Sequence, residues 1–162
     1  MIGDALRRQT LPFRRCDALR IIFAWAAPSL FLNLAWEIAQ LPLYTIPSAQ
    51  NTRQIAYAVA HCTAGDVAIA VVSFLIAAIA LRDANWPASH PWRGGAIAIF
   101  SGVLYTAYAE WYNVYQAGYW AYSSSMPLLF GIGVSPLLQW ILIPAATVLI
   151  VLNWAGTSPT VN

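Results

Sequence analysis

Four stretches of the sequence are long and apolar enough to cross a lipid bilayer, and they constrain the fold more than any other feature. A transmembrane helix needs about 20 mostly apolar residues. The stretches run from about Leu19 to Leu41, from about Ile55 to Leu81, from about Gly95 to Tyr115, and within Leu128 to Trp154. Of all residues, 60% are hydrophobic and 9% are charged, whereas soluble domains average about 25% charged residues. We therefore predict an all-α membrane protein, a four-transmembrane-helix bundle.

The fourth apolar stretch contains residues that interrupt a helix, namely Gly131, Gly133, Pro136 and Pro144. Proline fits the first turn of a helix, because that position needs no backbone N–H donor. Pro136 therefore predicts the start of the main fourth helix. The residues before it are expected to form a short half-helix or a re-entrant segment that is broken at Pro136.

Arginines predict how the chain is oriented in the membrane. All eight basic residues are arginines, and five of them lie between Arg7 and Arg20. Basic residues favour the cytoplasmic side of a membrane. We therefore expect a multi-pass protein of a bacterial inner membrane, with its N- and C-termini in the cytoplasm.

We expect one domain with two short tails. Residues 1–18 are predicted to form an Arg-rich cytoplasmic tail, residues 19–155 a single four-helix transmembrane domain, and residues 156–162 a C-terminal tail. The apolar run that begins at Ile21 continues into Trp36 without a small-residue cleavage site. It is therefore expected to be a retained helix rather than a signal peptide.

Composition and motifs exclude several functions. The net charge is only +2 and the basic residues gather at one terminus, so no nucleic-acid partner is expected. The sequence contains no P-loop, GxGxxG or GxSxG motif, and we predict no cofactor. Cys16 and Cys62 lie in the tail and in a helix, respectively, and are not expected to form a disulfide.

Three of the six carboxylates lie where a membrane protein least tolerates them. Glu37, Asp66 and Glu110 are each inside an apolar stretch or within one turn of its end. An ionisable group at the centre of a transmembrane helix costs about 2.5–3.5 kcal/mol on insertion scales, so such groups usually face a cavity, pair with each other or take part in chemistry. At the depth of Asp66, the sequence offers His61 as the candidate partner.

The polar residues of all four stretches are expected to converge in the outer half of the bilayer. Two triplets with the spacing i, i+4, i+7 each share one helix face: Asn33, Glu37 and Gln40 on the first helix, and Thr106, Glu110 and Asn113 on the third. Gln139 lies shortly after Pro136, at the same predicted depth. The inner half contains mostly Ala, Ile, Leu and Val. We predict a carboxylate and imidazole pocket that opens toward the periplasmic leaflet.

The predicted pocket has the side chains of a general acid–base enzyme. We predict catalytic roles for Glu37, His61, Asp66, Glu110 and Asn113. Substrate contacts are predicted for Asn33, Trp36, Gln40, Trp111, Tyr122 and Gln139. In this hypothesis Asp66 or Glu37 is the acid. Glu110 with His61 is the base or proton carrier, and Asn113 orients one of these groups.

An apolar substrate fits this pocket best, because the rings of Trp36 and Trp111 could stabilise a carbocation by cation–π contact. The layout resembles that of small membrane enzymes that isomerise or cyclise sterols and isoprenoids with intramembrane acidic residues, His and Asn beside Trp. This resemblance is one of design and assigns no residue roles. It implies an isomerase, cyclase or hydratase that acts on a lipid or isoprenoid-like substrate.

Other interpretations are left open. The polar groups could simply hydrogen-bond the helices together, the chain could be a small-solute or proton-coupled transporter, or it could be a non-catalytic subunit of a larger membrane complex. The predicted pocket contains side chains of the types that bind metals, but the sequence lacks the H-x-x-x-H and E-x-x-H spacings of common metal sites. No metal is therefore predicted. The expected partners are membrane lipids and a hydrophobic small molecule, and a homo-oligomer is left open.

Overall fold

Four long helices account for most of the residues that the computed structural model describes, which are residues 15–46 and 51–156. The helices are α1 (Arg15–Gln40), α2 (Thr52–Leu81), the short α3 (Trp86–Ser89), α4 (Pro91–Trp111) and α5 (Val134–Gly156). A 3-10 turn (Leu41–Leu43) follows α1, and a π-helical segment (Tyr112–Ala117) follows α4. The all-α prediction is thus confirmed. Most of the two predicted tails lies outside the described residues.

Three of the helices in the described part of the chain are long and apolar enough to cross a membrane. They comprise Leu19–Leu43, Thr52–Leu81 and Val134–Trp154. The remaining long helix, α4, has 21 residues. Its second half is less apolar, because it contains Tyr105, Tyr108 and Glu110. The composition and length of the helices therefore support a membrane protein with three candidate spans.

The long helices pack in a closed ring. Helix α1 contacts α2 and α5, and α4 contacts the same two helices from the other side. Consecutive long helices run in opposite directions. As a result, the C-terminal ends of α1 and α4 lie at the same end of the bundle as the N-terminal ends of α2 and α5. This end is called the cavity end below.

The opposite end of the bundle is filled by a packed apolar core. Trp25, Phe74 and Trp86 contact one another there, with the rings of Trp25 and Trp86 5.1 Å apart. The indole N–H of Trp25 donates to the carbonyl oxygen of Ala70 at 3.0 Å, and that of Trp86 donates to the carbonyl oxygen of Phe74 at 3.3 Å. Because both indoles are satisfied, these large side chains can be fully buried.

Local capping signals set the ends of α2. The Asn51 side chain accepts from the backbone N–H of Gln54 at 3.0 Å, and the Gln54 side chain accepts from the backbone N–H of Asn51 at 3.1 Å. This reciprocal pair is a capping box, which satisfies two donors at the helix start. The helix ends at Arg82, whose left-handed backbone (φ 52°) stops further helical hydrogen bonding.

Residues 128–133 form a β-hairpin, so the prediction of a half-helix before Pro136 is wrong. Strand β1 (Leu128–Leu129) pairs antiparallel with β2 (Ile132–Gly133). The two residues between them, Phe130 and Gly131, both have positive φ, at 51° and 83°. A tight hairpin turn requires this conformation, and glycine adopts it without steric cost. Helix α5 then begins at Val134, which leaves Pro136 in its first turn as predicted.

Two loops join over the cavity end of the bundle. Tyr44 and Tyr122 form an isolated antiparallel bridge. The backbone N–H of Thr45 donates to the carbonyl oxygen of Ala121 at 2.9 Å, and that of Ser123 donates to the carbonyl oxygen of Leu43 at 2.9 Å. Residues 41–46 and 119–126 are called the capping loops below. They fix the positions of two tyrosines above the ring of helices.

Candidate functional site

A cavity of about 300 Å³ opens at the cavity end, between all four long helices. Its size falls at the small end of the range for ligand pockets. Three carboxylates line it, Glu37 from α1, Asp66 from α2 and Glu110 from α4. The other polar side chains of the lining include Gln40, Tyr44, His61, Thr106, Asn113 and Gln139, and much of the remaining wall is apolar or aromatic. The structure therefore brings together the three acids that the sequence placed in apolar stretches.

The Gln139 amide joins three helices at the floor of this cavity. Its Nε2 atom lies 2.8 Å from Asn33 Oδ1, 2.9 Å from Asp66 Oδ2 and 3.5 Å from Glu37 Oε1. Since an amide nitrogen carries two hydrogens, it donates to the two nearer oxygens. Gln139 is only 2% exposed. Its side chain thereby links α5 to α1 and α2 in a region away from solvent.

Gln40 holds the Glu37 carboxylate from the adjacent turn of the same helix. The Gln40 Nε2 donates to Glu37 Oε1 at 2.7 Å. The Gln40 Oε1 accepts from the hydroxyl of Ser135 at 2.8 Å and from the indole N–H of Trp36 at 3.2 Å. Gln40 thus orients the Glu37 carboxylate, and Gln40 is itself held in place because its Oε1 atom accepts two hydrogen bonds. Asn33, Glu37, Gln40, Asp66 and Gln139 are called the amide–carboxylate network below.

The carboxyl groups of Glu37 and Asp66 are neighbours that interact directly, and both lie close to Gln139 Nε2, at 3.5 Å and 2.9 Å, respectively. The groups that act on them include Gln40, Gln139 and the third acid, Glu110, and no cation of the described residues is among these groups. Two neighbouring carboxyl groups in a buried site form one acid–base unit, because repulsion disfavours ionisation of both. This pair was not foreseen from the sequence, which offered His61 as the partner of Asp66.

Glu110 is held by the tyrosines of the capping loops. The hydroxyl of Tyr122 donates to Glu110 Oε2 at 2.7 Å, and that of Tyr44 lies 3.4 Å from both carboxylate oxygens. Tyr122 also accepts from the backbone N–H of Gly133 at 3.0 Å. Burial raises the pKa of both tyrosines, and the nearby charge of Glu110 raises it further. Both hydroxyls therefore stay protonated and act as donors to the carboxylate.

His61 lies apart from the carboxylates. It lines the cavity, but its side chain is exposed and stacks on Tyr57 with ring centroids 5.8 Å apart and an interplanar angle of 15°. Within the described residues it makes no hydrogen bond to Glu37, Asp66 or Glu110. The predicted pairing of His61 with an acid is therefore absent from this geometry, and the imidazole lies at the mouth of the cavity.

Three other predicted site residues have unexpected surroundings. The Asn113 side chain lines the cavity, but its amide donates to the carbonyl oxygen of Ala109 on its own helix at 2.8 Å. Trp111 is 45% exposed and packs beside Tyr108. The indole N–H of Trp36 donates to Gln40 on its own helix at 3.2 Å. Neither Trp36 nor Trp111 lines the cavity, whose tryptophans are Trp120 and Trp140.

Sequence reasoning missed three residues that contact the site. They are Tyr44, Trp120 and Ser135, none of which is among the predicted catalytic or substrate-binding residues. The buried indole N–H of Trp120 lies near Glu110 but makes no hydrogen bond of normal geometry in the described part of the chain. Tyr44 and Trp120 approach Glu110 from the capping loops, and no helical spacing signals the pairing of those loops. Ser135 contacts Gln40 from the first turn of α5.

Metal ligation and known relatives give no further guide to the site. Among the described residues, no group of three or more His, Cys, Asp or Glu side chains could hold a metal ion. Comparisons with protein-family models, curated proteins and solved structures found no match to this chain.

Proposed function

We propose that this protein is a membrane-embedded acid–base enzyme, of isomerase, cyclase or hydratase type, that acts on a lipid or isoprenoid-like substrate. One observation carries the proposal. Three carboxylates from three helices line one largely apolar cavity, and they are divided between two separate hydrogen-bonded groups. Acid–base catalysis needs a proton donor and a proton acceptor on the same bound molecule.

The Glu37–Asp66 pair is the proposed acid. Because the two groups are neighbours and no cation from the described part of the chain pairs with them, the pair is assigned one proton that both groups share. The amide hydrogens of Gln40 and Gln139 hold the unprotonated oxygens in place. The shared proton is then the one delivered to a double bond or an epoxide oxygen in the cavity.

Glu110 is the proposed base. Its carboxylate accepts hydrogen bonds from two neutral tyrosines, which stabilise its charge without neutralising it. In an isomerisation, a carbon of the double bond takes the proton from the Glu37–Asp66 pair, and the neighbouring carbon becomes cationic. Glu110 then removes a proton from an adjacent carbon, and the double bond forms at its new position. Solvent returns the proton from Glu110 to the pair.

The aromatic wall supports a cationic intermediate. Tyr105, Trp120 and Trp140 line the same cavity as the three acids. The face of an aromatic ring attracts a cation by about 0.5–2 kcal/mol, and more strongly where water is excluded. This role, assigned from the sequence to Trp36 and Trp111, fits the tryptophans that line the cavity.

We also propose that α4 crosses the membrane, which gives four spans. Its 21 residues extend over about 30 Å, which matches the apolar core of a bilayer. Arg20, Arg82 and Arg93 lie at the end opposite the cavity. By the positive-inside rule, this supports a cytoplasmic position for that end and for both termini in a bacterial inner membrane, with the cavity facing the periplasm.

Two rival functions fit the geometry less well. A transporter needs a polar path to the far side, but Trp25, Phe74 and Trp86 fill the opposite half of the bundle. A non-catalytic subunit would direct its polar helix faces outward to a partner. Here the buried side chains of Asn33, Gln40, Glu110 and Gln139 point into the bundle instead.

Deuterium incorporation tests the proposal. Membranes that contain the protein are incubated in D2O, and their extracted lipids are analysed by mass spectrometry. The expected result is a lipid class that gains non-exchangeable deuterium with the wild type and not with Asp66→Asn or Glu110→Gln. Asp83→Asn is the matched control, because this carboxylate lies in the loop at the opposite end and contacts Asn85 and Ser89. Equal labelling by wild type and both site variants would contradict the acid–base function.

A further inference from the structure

A second hollow adjoins the mouth of the cavity and differs from it in charge. It has a volume of about 510 Å³ and is lined by Arg53, Gln54, Tyr57, His61, Tyr119 and Trp120, among others. His61, Cys62 and Trp120 line both spaces, so the two are continuous. This second hollow is called the vestibule below. No carboxylate from the described residues lines it, and no arginine lines the inner cavity.

Arg53 is the one arginine side chain at the cavity end of the described structure. It lies in the first turn of α2, and Tyr57 and His61 follow it at intervals of four residues along the same side of the helix. A guanidinium presents several N–H donors in a plane that matches a carboxylate or a phosphate group. The vestibule thus offers a cation beside an imidazole that stacks on a tyrosine ring.

We propose that the ligand is an amphiphile with an anionic head, a phosphate or a carboxylate, which binds at Arg53 while its apolar chain enters the inner cavity. This inference rests on the proposed function, since it names the class of substrate for the same site. The three carboxylates of the inner cavity repel an anion, so the head stays in the vestibule. The inner cavity has room for an apolar fragment of about ten heavy atoms, since a water occupies about 30 Å³ of liquid.

A substitution at Gly65 tests where the apolar chain of the ligand binds, separately from where its anionic head binds. It lines the inner cavity, and a Cβ atom added there would meet no other atom within 4 Å. In Gly65→Leu, the side chain is therefore expected to extend into the cavity from a Cβ atom that meets no neighbour. Arg53→Gln removes only the charge in the vestibule, and Arg82→Gln at the opposite end is its matched control.

Binding is measured by native mass spectrometry of the full chain in a mild non-ionic detergent, with decyl phosphate, decanol and inorganic phosphate as probes. Decyl phosphate should bind about tenfold more tightly than decanol to the wild type and to Arg82→Gln, and this preference should vanish in Arg53→Gln. Inorganic phosphate alone should bind more weakly than decyl phosphate, which distinguishes an amphiphile from a free anion.

The outcomes separate the two proposals. If Gly65→Leu weakens binding of both decyl probes but Arg53→Gln changes nothing, the anionic head is wrong and the apolar cavity of the proposed enzyme stands. If Gly65→Leu leaves both decyl probes unaffected, the chain does not occupy the cavity and both proposals fail. Tight binding of inorganic phosphate that depends on Arg53 and not on Gly65 would replace the amphiphile by a free anion.

Discussion

The Nε2 atom of Gln139 lies 2.9 Å from the Oδ2 atom of Asp66, so the deepest carboxylate of the chain receives its hydrogen bond from an amide of another helix. The same amide nitrogen also donates to Asn33. A single uncharged side chain therefore orients the acid without neutralising it. A cation at this position would form an ion pair and remove the proton that the Glu37–Asp66 pair is proposed to hold.

Gln139→Leu should lower the free energy of unfolding by about 1–3 kcal/mol, because Asn33 Oδ1 and Asp66 Oδ2 would both lose their buried donor. Leucine is close to glutamine in size, so the loss reports hydrogen bonding rather than a cavity. Unfolding in increasing mole fractions of SDS measures the effect. Gln116→Leu, at an exposed position of the π-helical segment, is the control and should change stability by less than about 0.5 kcal/mol. Equal stability of the two variants would show that the Gln139 amide does not support the fold.

Asp66→Asn distinguishes a catalytic pair from a structural link between helices. The amide of asparagine donates to Glu37 without the free-energy cost of keeping a carboxyl group protonated at neutral pH, so the variant should be more stable than the wild type by about 1–2 kcal/mol while losing activity. The same SDS titration measures the stability. Glu37→Gln should show a similar gain, and the double variant should gain less than the sum, because either change alone removes that cost. A loss of stability in Asp66→Asn would favour the structural interpretation.

The parts of this fold that the sequence predicted are those set by helical periodicity. The apolar stretches gave α1, α2, α4 and α5 to within a few residues at most ends. The spacing of Asn33, Glu37 and Gln40 placed all three side chains in one network, because residues on one helix face must share their surroundings. Asp66 and Gln139 were both predicted to lie in the same half of the bundle, and their side chains are in contact there.

The parts that could not be predicted depend on contacts between loops or on helix rotation. Tyr44 and Tyr122 reach Glu110 because two loops pair backbone to backbone, which no local pattern encodes. The hairpin at Phe130 and Gly131 lacks the Asn-Gly or Asp-Gly sequence that signals such turns. His61 is five residues from Asp66, about 140° around the helix axis. The rotation of α2 about its own axis therefore decides which of the two side chains faces Glu37 and Glu110.

Gly102→Ala should destabilise the protein and disturb the cavity wall. A Cβ atom at Gly102 would lie 2.2 Å from the Trp140 ring, and Trp140 is only 2% exposed. The clash should lower the free energy of unfolding by about 1–3 kcal/mol, which outweighs the gain of up to about 1 kcal/mol from better helix propensity. Gly65→Ala, where the added atom meets open space, should gain stability instead. The comparison is made by SDS titration and by the fluorescence of the tryptophans. Stabilisation by both alanines would mean that Trp140 moves aside at no cost.

Tyr44→Phe should flatten the loss of stability at high pH. Burial and the charge of Glu110 raise the pKa of Tyr44 in the folded state, whereas the pKa of a tyrosine in the unfolded chain is about 10. Above that pH the unfolded state loses the proton first, so the free energy of unfolding falls by up to about 1.4 kcal/mol per pH unit for this group. The contribution is complete below about pH 10 and is lost as the pH rises further. SDS titrations should run from about pH 8 to about pH 11, which brackets the tyrosine pKa of the unfolded chain. Over this range the free energy of unfolding should decline less steeply for Tyr44→Phe than for the wild type. Tyr108→Phe, on the exposed side of α4, is the control variant. An equal decline in wild type and Tyr44→Phe would show that the Tyr44 hydroxyl is not held as a buried donor to Glu110.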